Sequence, residues 1–253
     1  MSISIEQLEH FYDHRKILKD ITHEFEKGRF YGIIGPNGSG KTTLLKHIAS
    51  LLKTPEKTIW ISGQDVTSLK EKTRAREMAM VPQTFNIELS FSVEEIVAMG
   101  RYPYIKGLGN FTQQDKEFVQ HALEKTNLLQ HRTRDVNTLS GGELQRVILA
   151  RAIAQQTDIL LLDEPLSHLD IHHQLDILNL TKRLSTEEDK TILCVMHDLN
   201  LTMKYCDHVI LLCEGEIYAS GEANEVLTEE NIRRVYSIDA KIVEINGNSI
   251  IIY

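Results

Sequence analysis

The sequence predicts an α/β fold built on a largely parallel β-sheet that is interrupted by a helical insertion. Short apolar runs typical of strands alternate with segments whose apolar residues recur at helical spacing, which is the pattern of βαβ units. One strand-like run, Phe30–Ile34, leads into a glycine-rich loop and then a helix-like segment. Residues 84–155 are helical in pattern, so we expect them to be inserted between two parts of the sheet.

The N-terminal elements are short strands followed by one helix. Three strand-like runs separated by turns cover residues 3–8, 21–25 and 30–34. A helix is predicted over residues 42–52, because five of its apolar residues share one face. They are Leu44, Leu45, Ile48, Leu51 and Leu52.

The middle of the chain carries three capping-box patterns, in which a Ser or Thr is followed three positions later by an acid. The pairs are Ser92 with Glu95, Thr112 with Asp115, and Ser140 with Glu143. Each pair predicts the start of a helix.

Strand-like runs return in the C-terminal part, at residues 159–162, 192–196 and 209–213, with helix-like stretches between them. The tail, residues 215–253, mixes short strands with one helix near Glu229–Tyr236. These strands complete the predicted sheet.

The composition is typical of a soluble globular protein, with 42% hydrophobic and 25% charged residues. The net charge of −8 argues against nucleic acid as a partner, since that function favours a basic excess. No apolar run approaches the ~20 residues that span a bilayer, and Glu6 and Glu9 interrupt any signal-peptide core. The three cysteines form no CxxC pair, which is typical of a reducing compartment. We expect a soluble chain that would need partner chains to act at a membrane.

A phosphate-binding loop is the strongest motif. The segment Gly35-Pro36-Asn37-Gly38-Ser39-Gly40-Lys41-Thr42 matches GxxxxGK[ST] between a strand and a helix, the context that the motif requires. Its glycines let backbone N–H groups turn toward phosphate oxygens, and the start of the following helix favours anions. Lys41 supplies a positive charge for the β- and γ-phosphates, and the Thr42 hydroxyl can bind Mg²⁺. The motif predicts an ATP site that extends to Thr43.

Two acids, Asp163 and Glu164, directly follow the strand-like run Ile159–Leu162. In a protein with a phosphate loop, the first acid at such a strand end binds the Mg²⁺ shell, and a neighbouring acid can polarise the attacking water. We therefore expect these two adjacent carboxylates to do different work.

The segment Leu139-Ser140-Gly141-Gly142-Glu143, which ends twenty residues before Asp163, resembles the signature motif of ABC ATPases. The resemblance spans essentially the whole chain. Many relatives have Gln where this signature has Glu143, and a small residue where the following D-loop has His168. Neither position touches the phosphate chemistry.

Other elements of the family follow in order along the chain. Tyr12 resembles the aromatic residue that stacks on adenine, and Gln83 resembles the Q-loop glutamine that reaches Mg²⁺ and the attacking water. The segment from Ser167 to Asp170 resembles the D-loop, and His197 resembles the switch histidine that contacts the γ-phosphate.

The resemblance implies a RecA-like P-loop NTPase core with an N-terminal antiparallel β-subdomain and an inserted helical subdomain. Residues 1–83 and 156–253 would form the core and tail, and residues 84–155 the helical subdomain. Mg²⁺ would be held by Thr42, Gln83 and Asp163, and catalysis would use Glu164, His197 and Gln83. Two subunits would close head to tail, so that Ser140–Gly142 of one covers the γ-phosphate in the other.

Finer features resemble the importer branch that serves iron-siderophore, haem and cobalamin uptake. They are residues 100–104 with Asp115, residues 169–174, residues 215–221 and residues 225–228. This resemblance implies an iron chelate as cargo and a membrane permease that docks near residues 84–104. It also implies an extracytoplasmic substrate-binding protein as an indirect partner, and a position on the cytoplasmic face of the membrane. Other cargo (manganese, zinc or cobalamin) and a soluble non-transport ATPase are the alternatives.

His168 and His172 form an HxxxH pair, a spacing that can bind zinc on a helix. The adjacent Glu of HExxH is absent from this pair, and the sequence offers no clear third ligand. A solvated helix face is therefore the favoured interpretation.

Overall fold

The described strands form three sheets. The computed structural model describes residues 2–85, 89–107 and 109–253, without the side chain of Asn248. The strands are β1 (Ile3–Tyr12), β2 (Arg15–Phe25), β3 (Phe30–Ile34), β4 (Ile59–Ile61), β5 (Gln64–Asp65), β6 (Met78–Val81), β7 (Ile159–Leu162), β8 (Thr191–Val195), β9 (His208–Cys213), β10 (Glu216–Glu222), β11 (Lys241–Ile245) and β12 (Asn248–Ile252).

The α-helices lie between these strands and in the inserted segment. They are α1 (Lys41–Ile48), α2 (Glu71–Glu77), α3 (Val93–Ala98), α4 (Gln113–Lys125), α5 (Gly141–Ala154), α6 (Ile171–Glu188), α7 (Leu199–Tyr205), α8 (Ala223–Val226) and α9 (Glu229–Tyr236). Short 3₁₀ turns cover Met99–Tyr104, Leu129–His131 and Val136–Thr138. Within the described ranges, none of the helices is both long and apolar enough to cross a bilayer.

The central sheet has the order β10-β9-β3-β8-β7-β6, and its strands are parallel except for β10, which pairs antiparallel with β9. This confirms the predicted parallel sheet. Successive residues of each strand point into two different apolar cores, because side chains alternate across a sheet. In β3, Tyr31 and Ile33 face the core shared with α1, and Phe30 and Ile34 face the opposite core.

Three neighbouring strands of the central sheet end at one edge. Val81 pairs with Leu162, and Leu162 pairs with Cys194, so that β6, β7 and β8 finish within a residue of one another. β3 runs parallel to β8, with Ile33 opposite Val195. The residues that follow these strands are therefore brought together, and ligands of open α/β sheets bind at such carboxyl ends.

An antiparallel sheet, in the order β2-β1-β4-β5, covers the other side of α1. Helix α1 ends at Ile48, four residues before the predicted end. Ser50 adopts a left-handed φ of 52°, and the Leu51 N–H donates to the Lys46 carbonyl at 2.9 Å, a helix ending of the Schellman type. Leu51 is consequently 64% exposed and lies outside the predicted apolar face.

The inserted segment begins each of its three helices as predicted. In α3, α4 and α5, the Ser or Thr side chain accepts a backbone N–H bond and the acid three residues later returns one. Asp115 also pairs with Arg101 at 2.9 Å, and both side chains are less than 10% exposed. The Arg101 guanidinium lies over the rings of Tyr104 and Phe118. This buried cluster ties α3 and α4 to the end of α5, where Arg101 donates to the Ala154 carbonyl at 2.8 Å.

The C-terminal tail contains α9 at the predicted position, together with β10, the short helix α8 and the hairpin β11–β12. Asn200 in α7 exchanges two hydrogen bonds with the backbone of Ile251, at 3.0 and 2.7 Å. The hairpin is thereby attached to the helix that follows β8.

Candidate nucleotide site

The phosphate loop requires glycine at two positions where the chain is both twisted and crowded. Gly35 has a φ of 147°, and a Cβ on it would lie 2.1 Å from the Leu212 carbonyl oxygen. Gly40 has a φ of 104°, and a Cβ there would lie 2.6 Å from Leu18. Any larger residue would push the loop away from the strands that support it.

The loop surrounds the ammonium group of Lys41, which is 5% exposed. Its Nζ donates to the carbonyl oxygens of Gly35 at 2.8 Å and Pro36 at 3.0 Å. Burial lowers the pKa of Lys41, and the nearby Glu164 and Asp163 carboxylates act in the opposite direction. A cation that is removed from water and held by two carbonyls is placed to receive an anion.

Asp163 and Thr42 bring oxygen ligands together beside the loop. Asp163 is 2% exposed, and its Oδ1 accepts from the Thr42 hydroxyl at 2.8 Å. Burial raises the pKa of Asp163, while the bond from Thr42 lowers it. A bound cation would favour the charged carboxylate, and Mg²⁺ prefers oxygen ligands of this kind.

The carboxylate of Glu164 contacts the side chains of Gln83, Ser167 and His197. One oxygen accepts from the Gln83 amide at 2.8 Å and from the Ser167 hydroxyl at 3.2 Å. The other oxygen lies 2.8 Å from Nε2 of His197. Glu164 itself has a left-handed φ of 49°, so the backbone turns sharply between the two acids. The structure thus joins Gln83, Glu164 and His197, which follow β6, β7 and β8. A strand was predicted before Glu164 and before His197, but none was predicted before Gln83.

Tyr12 lies at the end of β1 and is 48% exposed. It borders a cavity of about 270 Å³ that contains most of the phosphate loop. The predicted residues that line this cavity are Tyr12, Asn37, Gly38, Gly40, Lys41, Thr42, Thr43 and Glu164. Pro36 and Ser39 line an adjoining cavity of about 440 Å³, together with Asn37 and Gly38. The Ser39 hydroxyl is buried, with no hydrogen-bond partner in the described part of the chain.

Two residues that line both cavities, Arg15 and Ile17, were not predicted from the sequence. β1 and β2 form a hairpin that turns at Asp13, and this turn brings Arg15 beside Tyr12, with which it pairs. The signal that could have revealed Arg15 is a basic residue three positions after the adenine-type aromatic. Arg15 thus adds a positive charge to the cavities that the predicted phosphate loop lines.

The signature segment lies apart from these cavities, as neither is lined by Ser140, Gly141 or Gly142. Ser140 caps α5, and a Cβ on Gly141 would meet nothing within 4 Å. Glu143 accepts from the Ser140 N–H at 2.8 Å and pairs with Arg134 at 3.1 Å, which explains a carboxylate at this position.

Asp170 caps α6 and accepts from the His173 N–H at 2.9 Å. That hydrogen bond lowers the pKa of Asp170. Asp170 is exposed and does not line either cavity beside the phosphate loop. Within one chain, therefore, the signature and Asp170 are not brought to the phosphate loop.

A family model described as ABC transporter matches residues 18–167, from β2 to the D-loop serine. The chain belongs to the ABC transporter family. It is an ATPase, as ATP hydrolysis coupled to transport is the activity of this family. The predicted fold and the predicted use of ATP are confirmed by this membership.

Three known proteins illustrate the similarity. The iron(3+)-hydroxamate import ATP-binding protein FhuC of Bacillus subtilis is 39% identical, over 96% of this chain and 90% of its own length. A solved ABC transporter of the metal-chelate type, in an inward-facing conformation, has a TM-score of 0.86 at 26% identity and matches 100% of this chain and 98% of its own. A dimeric bacterial ABC transporter cassette has a TM-score of 0.77 at 29% identity, over 87% of this chain and 98% of its own.

Proposed function

We propose that this chain is the ATP-hydrolysing subunit of an importer of iron chelates and acts through a separate membrane permease. Two similarities support the cargo class: the relative named for iron(3+)-hydroxamate import and the solved transporter of metal-chelate type. The chain itself lies on the cytoplasmic face of the membrane, where ATP is available, and an extracytoplasmic protein delivers the cargo to the permease.

The observation that carries the catalytic part of the proposal is the shared carboxylate of Glu164. Its two oxygens are held by Gln83 and His197, and these contacts orient the group. Glu164 polarises the attacking water, and His197 and Gln83 contact the γ-phosphate and the water. Catalysis by positioning and charge stabilisation is typical of phosphoryl transfer.

Thr42, Gln83 and Asp163 would hold Mg²⁺, which neutralises charge on the β- and γ-phosphate oxygens when bound. The oxygen ligands of Thr42 and Asp163 fit this ion, since they are adjacent and Asp163 is buried. Lys41 gives up its bonds to the loop carbonyls in favour of the phosphates. Tyr12 stacks on the adenine at the open end of the cavity.

Two copies of the chain close head to tail over two ATP molecules. Each signature, Ser140–Gly142, then covers the γ-phosphate held by the other copy, and Asp170 contributes from the D-loop. The separation of the signature from the phosphate-loop cavities supports this arrangement, because one chain leaves that side of the nucleotide uncovered. The dimeric cassette among the similar structures supports it as well.

The helical subdomain, proposed at residues 84–155, passes the closing motion to the permease. The docking segment, residues 84–104, follows Gln83 directly; residues 86–88 of it lie outside the described residues. Its position after a residue that senses the γ-phosphate supports this role.

Deletion of the gene tests the function, with uptake of radiolabelled iron-hydroxamate as the measurement. Uptake should stop and return with the wild-type gene, but not with a Glu164→Gln gene. Loss of labelled manganese or cobalamin uptake instead would identify another cargo. If no permease co-purifies from detergent-solubilised membranes and all three uptakes persist, the chain is a non-transport ATPase.

A further inference from the structure

We propose that His172, His173 and Asp176 form a binding site for a divalent transition-metal ion such as Zn²⁺, at the start of α6. Each residue offers one ligand atom, and these three atoms lie within 4.8 Å of one another. None of these three residues lines the cavities beside the phosphate loop, and the binding needs neither ATP nor a second copy of the chain.

Helix geometry explains why these three residues converge. Asp176 is four residues after His172 and three after His173, and both spacings place side chains next to each other on a helix. Nε2 of His172 already lies 3.6 Å from Oδ2 of Asp176. In a tetrahedral zinc site with bonds of about 2.0–2.1 Å, neighbouring ligands are about 3.3 Å apart. The other two separations are at most 4.8 Å, so the ligand atoms must move closer by up to about 1.5 Å to bind one ion.

His173 supplies an independent observation. Its Nδ1 is buried and has no hydrogen-bond partner within the described ranges. A buried polar atom of this kind needs a partner, and an ion is one. His172, by contrast, has a side chain that is 79% exposed, which gives an ion a path from solvent.

The ligand types select the metal. Two imidazoles and one carboxylate are ligands for Zn²⁺ or Fe²⁺, whereas Mg²⁺ prefers oxygen ligands alone. Three protein ligands also leave a position for water. Arg146 is the competing cation, since its Nη1 lies 3.6 Å from the same Asp176 oxygen that faces His172. A bound metal would displace it.

His168 is not part of this site. It precedes α6 with a left-handed φ of 64° and lines a different cavity, together with Glu164 and His197. The proposed ligand set shares only His172 with the HxxxH pair of the sequence. His173 and Asp176 supply the other two ligands.

The site touches the signature through His173. A Cβ on Gly142 would lie 2.0 Å from Cδ2 of His173, so the imidazole ring fills the space that glycine leaves. A metal that fixes this ring would restrain Gly142 and hinder the signature from closing on a partner's nucleotide. This consequence rests on the proposed dimer, whereas the binding itself does not.

Isothermal titration of Zn²⁺ into the full chain, free of any histidine tag and of chelator, tests the binding. We expect one ion per chain. His172→Ala and Asp176→Asn should each weaken binding about 100-fold, because losing even a second-shell partner costs roughly 10–100-fold. His168→Ala is the matched control and should bind like wild type. Co²⁺ in place of Zn²⁺ should give visible absorption bands that are lost in the same two variants.

Absence of binding, or binding that survives both substitutions, would overturn the site, as would its loss in His168→Ala. Circular dichroism checks the fold; should Asp176→Asn unfold, the exposed His172 still decides the question. Zn²⁺ should also slow the ATP-driven dimerisation of a Glu164→Gln chain, but not when His172→Ala is added. A Glu164→Gln chain that never dimerises contradicts the proposed function, whereas dimerisation that ignores bound Zn²⁺ contradicts only the coupling.

Discussion

Nε2 of His197 lies 2.8 Å from one oxygen of Glu164, while the other oxygen of the same carboxylate accepts from Gln83. The three residues follow three parallel strands that end together, so the sheet fixes their spacing. An amide in place of this carboxylate would have one acceptor oxygen instead of two. Substitution of Glu164 by glutamine therefore removes a negative charge and one of the two oxygens that hold Gln83 and His197.

Glu164→Gln should bind ATP but lose hydrolysis by at least about 100-fold, the usual contribution of a general base. Because Asp163, Thr42 and Lys41 are unchanged, nucleotide binding persists. Without hydrolysis the closed state is not reopened, and an ATP-bound dimer should accumulate. Phosphate release gives the rate, and size-exclusion chromatography with light scattering gives the mass with and without ATP.

Ser140→Arg, added to the Glu164→Gln chain, is the control for the shared site. It places a bulky cation at the cap of α5, so the ATP-dependent dimer should disappear while ATP affinity remains. Wild-type hydrolysis by Glu164→Gln alone would refute the catalytic role. The Glu164→Gln protein could also bind ATP while its subunits stay apart, even in the permease complex. That result would refute a nucleotide site shared between two copies of the chain.

Lys41→Ala should weaken ATP binding about 10- to 100-fold, equivalent to the roughly 1.5–3 kcal/mol of a charged hydrogen bond. The buried ammonium is held inside the loop, where no other side-chain cation of residues 35–42 can replace it. Titration with a fluorescent ATP analogue measures the loss. Lys46→Ala, on the same helix but beyond the loop, is the matched control, and an equal effect of both would contradict the assignment.

Parallel strands made much of the site predictable from sequence. The apolar run of β7 has the predicted bounds. β8 begins and ends one residue before its predicted bounds, and β9 begins one residue before its predicted start. Residues that follow such strands share one edge of the sheet, and this is why Asp163, Glu164 and His197 lie together. The role of His197 was predicted from the family resemblance. The caps of α3, α4 and α5 were also predictable, because a capping box depends on two side chains three residues apart.

Other parts of the fold were not predicted because their backbone is irregular. β1 continues to Tyr12, beyond the predicted end at residue 8, through register shifts that break the alternation of apolar residues. The hairpin was therefore not anticipated, and neither was Arg15. The early end of α1 depends on the left-handed Ser50, while the apolar spacing continues past it. The ends of β1 and α1 depend on packing against other segments, and the local sequence pattern carries no information about that packing.

The permease should bind exposed apolar side chains in the docking segment. Leu89 is 66% exposed, and Tyr102 is 53% exposed and stacks on Phe111 with ring centres 6.0 Å apart. A permease that docks on this segment would cover these apolar side chains. We expect Leu89→Glu and Tyr102→Glu to reduce recovery of the permease in pull-down experiments without changing ATP affinity.

Leu51→Glu is the matched control, as Leu51 is equally exposed but lies at the end of α1. A charge-reversal test of the docking segment should change Glu94 and leave Glu95 intact. The Glu95 carboxylate caps α3 through Ser92, so its loss would disturb the helix. Unchanged permease recovery with Leu89→Glu and Tyr102→Glu would show that docking occurs elsewhere.

The buried pair of Arg101 and Asp115 should matter more for stability than the capping role of Asp115. Asp115→Ala leaves the Arg101 charge buried without its partner, and such losses cost about 3–5 kcal/mol. Urea unfolding measures the difference. Glu95→Ala removes the same capping interaction from an exposed site and should cost much less. Equal losses in the two variants would mean that the buried pair contributes little.

Acid should destabilise the fold through His47, a fully buried residue of α1. Its Nδ1 lies 3.0 Å from the Thr54 hydroxyl, and its ring meets His10 edge-on. Burial, reinforced by His10, lowers the pKa of His47 from 6.5 to about 4. Between pH 6.5 and about pH 4, the unfolded chain therefore binds a proton at His47 that the folded chain does not bind. Stability then falls as pH drops through this window, by up to about 1.4 kcal/mol per pH unit for one group.

His47→Gln should flatten the pH dependence of the unfolding free energy between about pH 7 and about pH 5.5, a range chosen to lie above the ordinary titration of carboxylates. The slope should not vanish, because burial also lowers the pKa of His23 to about 4. His14→Gln, in the exposed turn between β1 and β2, is the control for the loss of a histidine, and the flattening should be larger in His47→Gln. Urea unfolding at several pH values gives the slopes. If the unfolding free energies of His47→Gln and wild type fall with equal slopes as the pH is lowered, another group takes up the proton on unfolding. The assignment to His47 is then wrong.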